Sequence, residues 1–90
     1  MIIVSYDIAN DKLRTKFAKF LSKYGCRLQY SVFKIQNSER LLDIVSHEIE
    51  DKFSKDFTEE DSVYVFQMSS SCKMQKYGYA KNEDCGIIVL

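Results

Sequence analysis

Hydrophobic and polar positions change period several times along the chain, and each change marks an element. Met1 to Val4 is near-continuously apolar, followed by Ser5, Tyr6 and Asp7. β-Branched residues and an aromatic in an extended pattern predict a central strand with both faces covered, ending near Asp7. From Asn10 the period lengthens. Leu13, Phe17, Phe20, Leu21 and Tyr24 fall on one helical stripe, with Asn10 or Asp11 able to accept first-turn N–H groups and Gly25 available as the left-handed residue that closes a helix.

Alternation returns at Cys26–Gln36, where Leu28, Tyr30 and Val32 oppose Gln29, Ser31 and Phe33. Eleven residues make one long strand, or two short ones with a tight turn near Ser31 to Phe33. A second helix is predicted from about Ser38 to Phe53, with Ser38 as N-cap and Leu42, Val45, Ile49 and Phe53 on its inner face. After the acidic turn Glu59-Glu60-Asp61, residues 62–68 read as a strand, 69–84 as a loop or irregular arm, and Gly86 to Leu90 as a short apolar strand.

Strands paired around two helices fit a ferredoxin-like α+β sandwich, βαββαβ, with an extra C-terminal strand. The whole chain, 1–90, makes one domain, with a core over about 1–68 and an arm over about 72–90. At this length folding hides only roughly 60–65% of the unfolded surface. An apolar end such as Ile87 to Leu90 is an adhesive edge unless covered, and the simplest cover is the sheet of a second copy in a two-fold homodimer.

Composition narrows the class. A hydrophobic fraction of 46% suffices for a globule, and the longest apolar runs fall far short of the roughly 20 residues that span a bilayer, so no membrane association is expected. Three cysteines, Cys26, Cys72 and Cys85, with no CxxC pair argue against a disulfide framework and a zinc site, which predicts a reducing, cytoplasmic setting. Net charge is zero but unevenly spread: residues 1–36 hold seven Lys or Arg against two acids, and the remainder six against eleven. One end can therefore be electropositive within a neutral whole.

The basic residues separate into two groups. Lys12, Lys16, Lys19 and Lys23 recur at helical spacing away from the apolar stripe, which makes them a solvated ridge or a set of phosphate contacts. Arg14 lies beyond the other flank of that stripe, toward the sheet edge. Asp7 has two readings of its own: a cap or turn residue between strand and helix, or a hard-metal ligand at the carboxyl end of a strand. His47, the one histidine, points away from the apolar stripe of its helix and is read as a surface residue.

Two segments in order, "YDIANDKLRTKFAKFLSKYG" and "CRLQYSVF", resemble the opening third of the CRISPR-associated Cas2 endonuclease family. The shared pattern is Tyr6-Asp7 at a strand end, Arg14 and Lys16 early in a helix, Gly25, and Gln29-Tyr30-Ser31-Val32-Phe33. The resemblance implies a homodimer in which the C-terminal strand reaches the partner's sheet, and a bend dividing the Gln29–Phe33 segment into two strands. It implies a metal-dependent nuclease acting on single-stranded RNA or double-stranded DNA. Asp7 of each protomer would flank one Mg²⁺, with Tyr6, Arg14, Arg27 and Phe33 around it as the catalytic set. Nucleic acid would meet Lys12, Arg14, Lys16, Lys19, Lys23 and Arg27. Lys16 stands where the family often has arginine, and lysine offers a point charge in place of a bidentate fork. The family also serves as a scaffold that joins the CRISPR integrase and holds duplex DNA during spacer acquisition, so a non-catalytic adaptor is the alternative, and a ferredoxin-like toxin ribonuclease a further one.

Overall fold

Alternation and periodicity are realised as six elements in a computed structural model that describes residues 1–69, 71–75 and 77–78. They are strand β1 (Ile2–Asp7), helix α1 (Asp11–Ser22), strands β2 (Gly25–Gln29) and β3 (Val32–Ile35), helix α2 (Glu39–Glu48) and strand β4 (Ser62–Gln67). The strands form one sheet in the order β2-β3-β1-β4, every neighbouring pair antiparallel. This is the ferredoxin-like α+β topology. The C-terminal strand expected at Gly86–Leu90 lies outside the described residues.

β1 is the inner strand its apolar start predicts, flanked by β3 and β4. Its two faces differ, however: Ile2, Val4 and Tyr6 are buried, while Ile3 and Ser5 are only half-buried. The expectation of two covered faces is corrected here, because an antiparallel sheet of this topology carries its helices on one side. The residues 26–36 divide into two strands around Tyr30 and Ser31, and an irregular register between Arg27 and Gln29 lets the edge strand follow the bend.

Asn10 caps α1, its side-chain oxygen accepting from the Leu13 N–H at 2.9 Å, and Ser38 caps α2 through the Leu41 N–H at 3.3 Å. Gly25 does not close α1. It opens β2 without positive φ, and its lack of a side chain serves a close approach instead. A Cβ there would overlap the Lys34 carbonyl oxygen and lie 2.9 Å from Ile35 Cγ1.

The stripe Leu42, Val45, Ile49, Phe53 does face the core, but the helix widens after Glu48 into a π turn, Ile49–Phe53, in which the Ser54 N–H donates to the Ile49 carbonyl. That turn carries the buried Phe53 ring to 5.0 Å from Phe17 and 5.1 Å from Phe20. Fully burying an aromatic of this size stabilises by about 1.5–3 kcal/mol. Phe17 is the hub, since it also meets Tyr6 at 5.0 Å edge-on and Phe57 at 6.2 Å.

Cys26, in β2, is disulfide-bonded, whereas Cys72 is a free, exposed thiol. The expectation of reduced cysteines fails at Cys26, because an odd total leaves a thiol over without forbidding a bond. Among the described residues no helix is long and apolar enough to cross a membrane.

Candidate functional site at the end of β1

β1 ends with two side chains pointing opposite ways. Tyr6 turns into the core, 3% exposed, and Asp7, next along the pleat, turns outward into solvent. Since Asn10 caps α1, Asp7 is not needed as a cap. Among the described residues its carboxylate has no hydrogen-bond or ion-pair partner. It lines an open pocket of about 470 Å³ with Ser5, Tyr6, Ile8, Arg14, Tyr30, Ser31, Ser62 and Tyr64.

Tyr6 fastens the β2–β3 turn to β1. Its backbone N–H donates to the Ser31 carbonyl at 3.0 Å and its hydroxyl makes a long contact, 3.5 Å, with the Tyr30 carbonyl. Burial raises the phenol above its ordinary pKa, against a smaller opposing effect of the Arg27 charge. Tyr6 is therefore a neutral donor at ordinary pH. Behind it, away from the pocket, its ring stacks on Phe33 at 6.2 Å, and the Arg27 guanidinium lies 5.2 Å over the other ring, with its Nε buried and unpartnered.

Arg14 reaches the pocket from the first turns of α1. Its guanidinium donates to the Ile8 carbonyl at 3.0 Å, pairs with Asp11, and lies 5.8 Å over the ring of Tyr30. The bond to Asp11 raises its pKa further, so it stays cationic throughout. Of the residues expected around Asp7, Tyr6 and Arg14 share its pocket, whereas Phe33 and Arg27 form the layer behind.

The four lysines Lys12, Lys16, Lys19 and Lys23 are all exposed along α1. They do not act alike. Lys12 and Lys16 border a second pocket, of about 610 Å³, together with Asp56, Glu60 and Asp61, and those acids reduce the local positive potential. His47 is exposed as expected, with Nδ1 2.9 Å from the Asp43 carbonyl. That bond, aided by Asp51, Glu50 and Asp43, raises its pKa from the ordinary histidine value.

Among the described residues no group of three or more His, Cys, Asp or Glu side chains could hold a metal ion. What Asp7 offers is one carboxylate amid the serines Ser5, Ser31 and Ser62. Among the described residues no thiol or imidazole lines the pocket. An all-oxygen donor set suits a hard divalent cation, and Mg²⁺ sites use one or two carboxylates with water completing the shell. With its one carboxylate, the single chain fits such an ion in part.

Pattern reading missed Tyr30, Ser31, Ser62 and Tyr64 as pocket residues, since strand alternation says nothing about which strand ends meet. It also passed over Asp61 within an acidic turn. The spacing Thr58-Glu59-Glu60-Asp61 carried a signal, because a hydroxyl and a carboxylate three residues apart form a reciprocal box with backbone N–H groups.

The chain is similar to known proteins in sequence and in fold. The family model described as CRISPR associated protein Cas2 matches residues 1–76. The chain is 30% identical over 74 residues to the CRISPR-associated endoribonuclease Cas2 4 of Rhodospirillum rubrum, a match covering 82% of this chain and 57% of that protein, so it spans little more than half of that relative's length. It is 34% identical over 70 residues to the CRISPR-associated endoribonuclease Cas2 3 of a Synechocystis species, covering 77% of this chain and 72% of the other. Among solved structures, a hypothetical protein of Thermus thermophilus superposes with a TM-score of 0.65 at 28% identity, over 87% of this chain and 92% of that one. Cas2 of Streptococcus pyogenes shares the fold, with a TM-score of 0.63 at 21% identity over 78% and 87% of the two chains.

Proposed function

The chain belongs to the CRISPR associated protein Cas2 family, and we propose that it is a homodimeric, Mg²⁺-dependent nuclease. Its substrate is single-stranded RNA or double-stranded DNA, and it serves with the CRISPR integrase in spacer acquisition. The observation that carries this reading is Asp7 itself: an exposed carboxylate without a partner among the described residues, at the end of an inner strand, in a pocket that also holds a guanidinium. Relatives in the family bear the names endoribonuclease and endonuclease.

Asp7 is the residue that would hold the cation, joined by the Asp7 of a second protomer across a two-fold axis. A bound Mg²⁺ supplies charge neutralisation and polarisation at a phosphoryl oxygen. The chain's own groups do the rest. Arg14 brings permanent positive charge to the rim, and meeting a phosphate would exchange its Asp11 partner for a phosphate oxygen. Neutral Tyr6 keeps the Tyr30–Ser31 turn against the pocket, and the Phe33–Arg27 layer holds the Tyr6 ring in place. Lys19 and Lys23, which stand clear of the acids beside Lys12 and Lys16, are the stronger backbone contacts on α1.

A second reading, the non-catalytic adaptor, is favoured by one feature of the pocket: apart from Asp7, no carboxylate or imidazole among the described residues lines it to act as general base. Asp7→Asn separates the two. The nuclease reading expects Mg²⁺-dependent cleavage of RNA or duplex DNA to fall by at least about a hundredfold in that variant, in line with loss of an electrostatic contributor of this kind. Cleavage that survives the change, or persists in chelator, excludes it. Spacer integration that continues with cleavage abolished establishes the adaptor.

A further inference from the structure

Asp7 leads straight into the three-residue connection Ile8-Ala9-Asn10, and that connection is gripped from both sides. On one side Arg14 of α1 donates to the Ile8 carbonyl at 3.0 Å. On the other, Asp61, immediately before β4, accepts the Ala9 N–H at 2.9 Å through Oδ1. Its second oxygen accepts the Thr58 N–H at 2.7 Å and the Thr58 hydroxyl at 3.2 Å. The loop is closed on itself as well, since the Asp61 N–H donates to the Thr58 carbonyl at 3.0 Å. One carboxylate thus ties the loop after Asp7 to the loop before β4, across 52 positions of sequence.

We propose that Asp61 is a positioning residue for the Asp7 site, the fastener that sets where β1 ends and therefore where the Asp7 carboxylate stands. The inference rests on the nuclease reading of Asp7. The register gives it leverage: Asp7 lies opposite Ser62, the residue after Asp61, so the same carboxylate secures both sides of the last strand pair. Without it the Ala9 N–H loses its acceptor, and the β1–α1 connection keeps the Arg14 bond to Ile8 and the Asn10 cap on α1 but no tie to the loop before β4. A catalytic group displaced by even about 1 Å can cost a hundredfold in rate.

The decisive measurements are amide hydrogen exchange on the full chain without Mg²⁺ and steady-state hydrolysis with Mg²⁺, on whichever of single-stranded RNA or duplex DNA the wild type cleaves. In Asp61→Ala the Ala9 N–H should exchange at least about tenfold faster, and kcat should fall by about ten- to a hundredfold with KM nearly unchanged. Asp61→Asn, which keeps one acceptor oxygen, should recover part of both. Ile49→Val, a core change that lowers stability, should leave kcat unaltered well below its Tm, so that loss of stability alone does not mimic the effect. Unchanged exchange at Ala9 in Asp61→Ala overturns the inference, as does lost protection with kcat preserved. If Asp61→Ala does not fold by circular dichroism, the same criteria apply to Asp61→Asn. A wild type that cleaves nothing retires the nuclease reading alone, and the clamp is then decided by Ala9 exchange and the position of the Asp7 amide resonance.

Discussion

β1 and β4 pair residue for residue, from Ile2 opposite Gln67 to Asp7 opposite Ser62, and their sequences IIVSYD and SVYVFQ are comparably apolar. Their burial is not comparable. Ile2 and Val4 are fully buried and Tyr6 nearly so, while Tyr64, Val65 and Phe66 of β4 are 60%, 37% and 45% exposed. Val4 and Val65 even face each other across the ladder. Tyr64 and Phe66, opposite Ser5 and Ile3, lie on the face the helices leave open, whereas Val65 shares a face with Val4 and differs from it by position in the sheet, since the helices cover the middle of that face and stop short of the outer strand. An apolar alternating run therefore specifies a strand, and the rest of the molecule decides whether that strand becomes core or edge.

The paired valines give the sharpest way to break the comparison. Val4→Ala should cost about 2–3 kcal/mol, measured by urea unfolding, because it removes two buried methyl groups and leaves a cavity. The same change at Val65 should stay within about 0.5 kcal/mol at protein concentrations low enough to keep the chain monomeric. Equal costs would show that β4 is covered in the free chain and that the contrast is false.

The opposite edge supplies the next test. β2 is half-buried along most of its length and fastened by the close approach at Gly25, where any Cβ meets the Lys34 carbonyl and Ile35. Gly25→Ala should therefore destabilise by about 1–3 kcal/mol, the usual cost of forcing extra volume into packed structure. A neutral result would mean that β2 separates from β3 easily, and that the two edges resemble each other after all.

Exposed Tyr64 and Phe66 stack at 6.2 Å on the outer strand, an aromatic pair available to a second copy. If the proposed homodimer uses this strand, Phe66→Ser should shift sedimentation toward monomer while leaving the monomer's unfolding midpoint nearly unchanged. A dimer undisturbed by that substitution moves the interface elsewhere.

The smallest expected effect is on acid stability. Asp61 has its pKa lowered below 3.8 by the Ala9 N–H first and Thr58 next, so its contribution is fully present above that ordinary value. It is lost as pH falls through the lower folded value. Wild type and Asp61→Asn should accordingly differ in Tm at neutral pH and converge in strong acid. A gap that persists there would mean the side chain acts through something other than its charge. His47 works in the opposite sense, its raised pKa adding stability that disappears as pH rises above the ordinary histidine range.

Much of this was legible locally. The residue types preceding each apolar stripe give Ser38 as the cap of α2 and leave Asn10 and Asp11 as alternatives for α1, and the second helix's inner face is legible down to Phe53. Short-range geometry leaves those features little choice. The division of 26–36 into two strands was open from alternation alone, and the resemblance to the Cas2 family pointed to the bend. Gly25 was misread as a helix terminator, since a glycine after a helix is ambiguous until the neighbouring strand's carbonyl is seen beside it.

By itself the sequence determined β1, the two helices, β4 and the Ser38 cap, because these follow from periods of a few residues and from which side chains satisfy nearby backbone groups. The tertiary structure decided the rest: that β1 is core and β4 is edge, that Tyr30 and Tyr64 share a pocket with Asp7, that Phe53 enters on a π turn, and that Asp61 binds a loop 52 positions away. Those outcomes depend on contacts between segments distant in the chain. No local pattern encodes them, because the free energy that selects them comes from burial and from backbone groups that find partners only once the sheet is assembled.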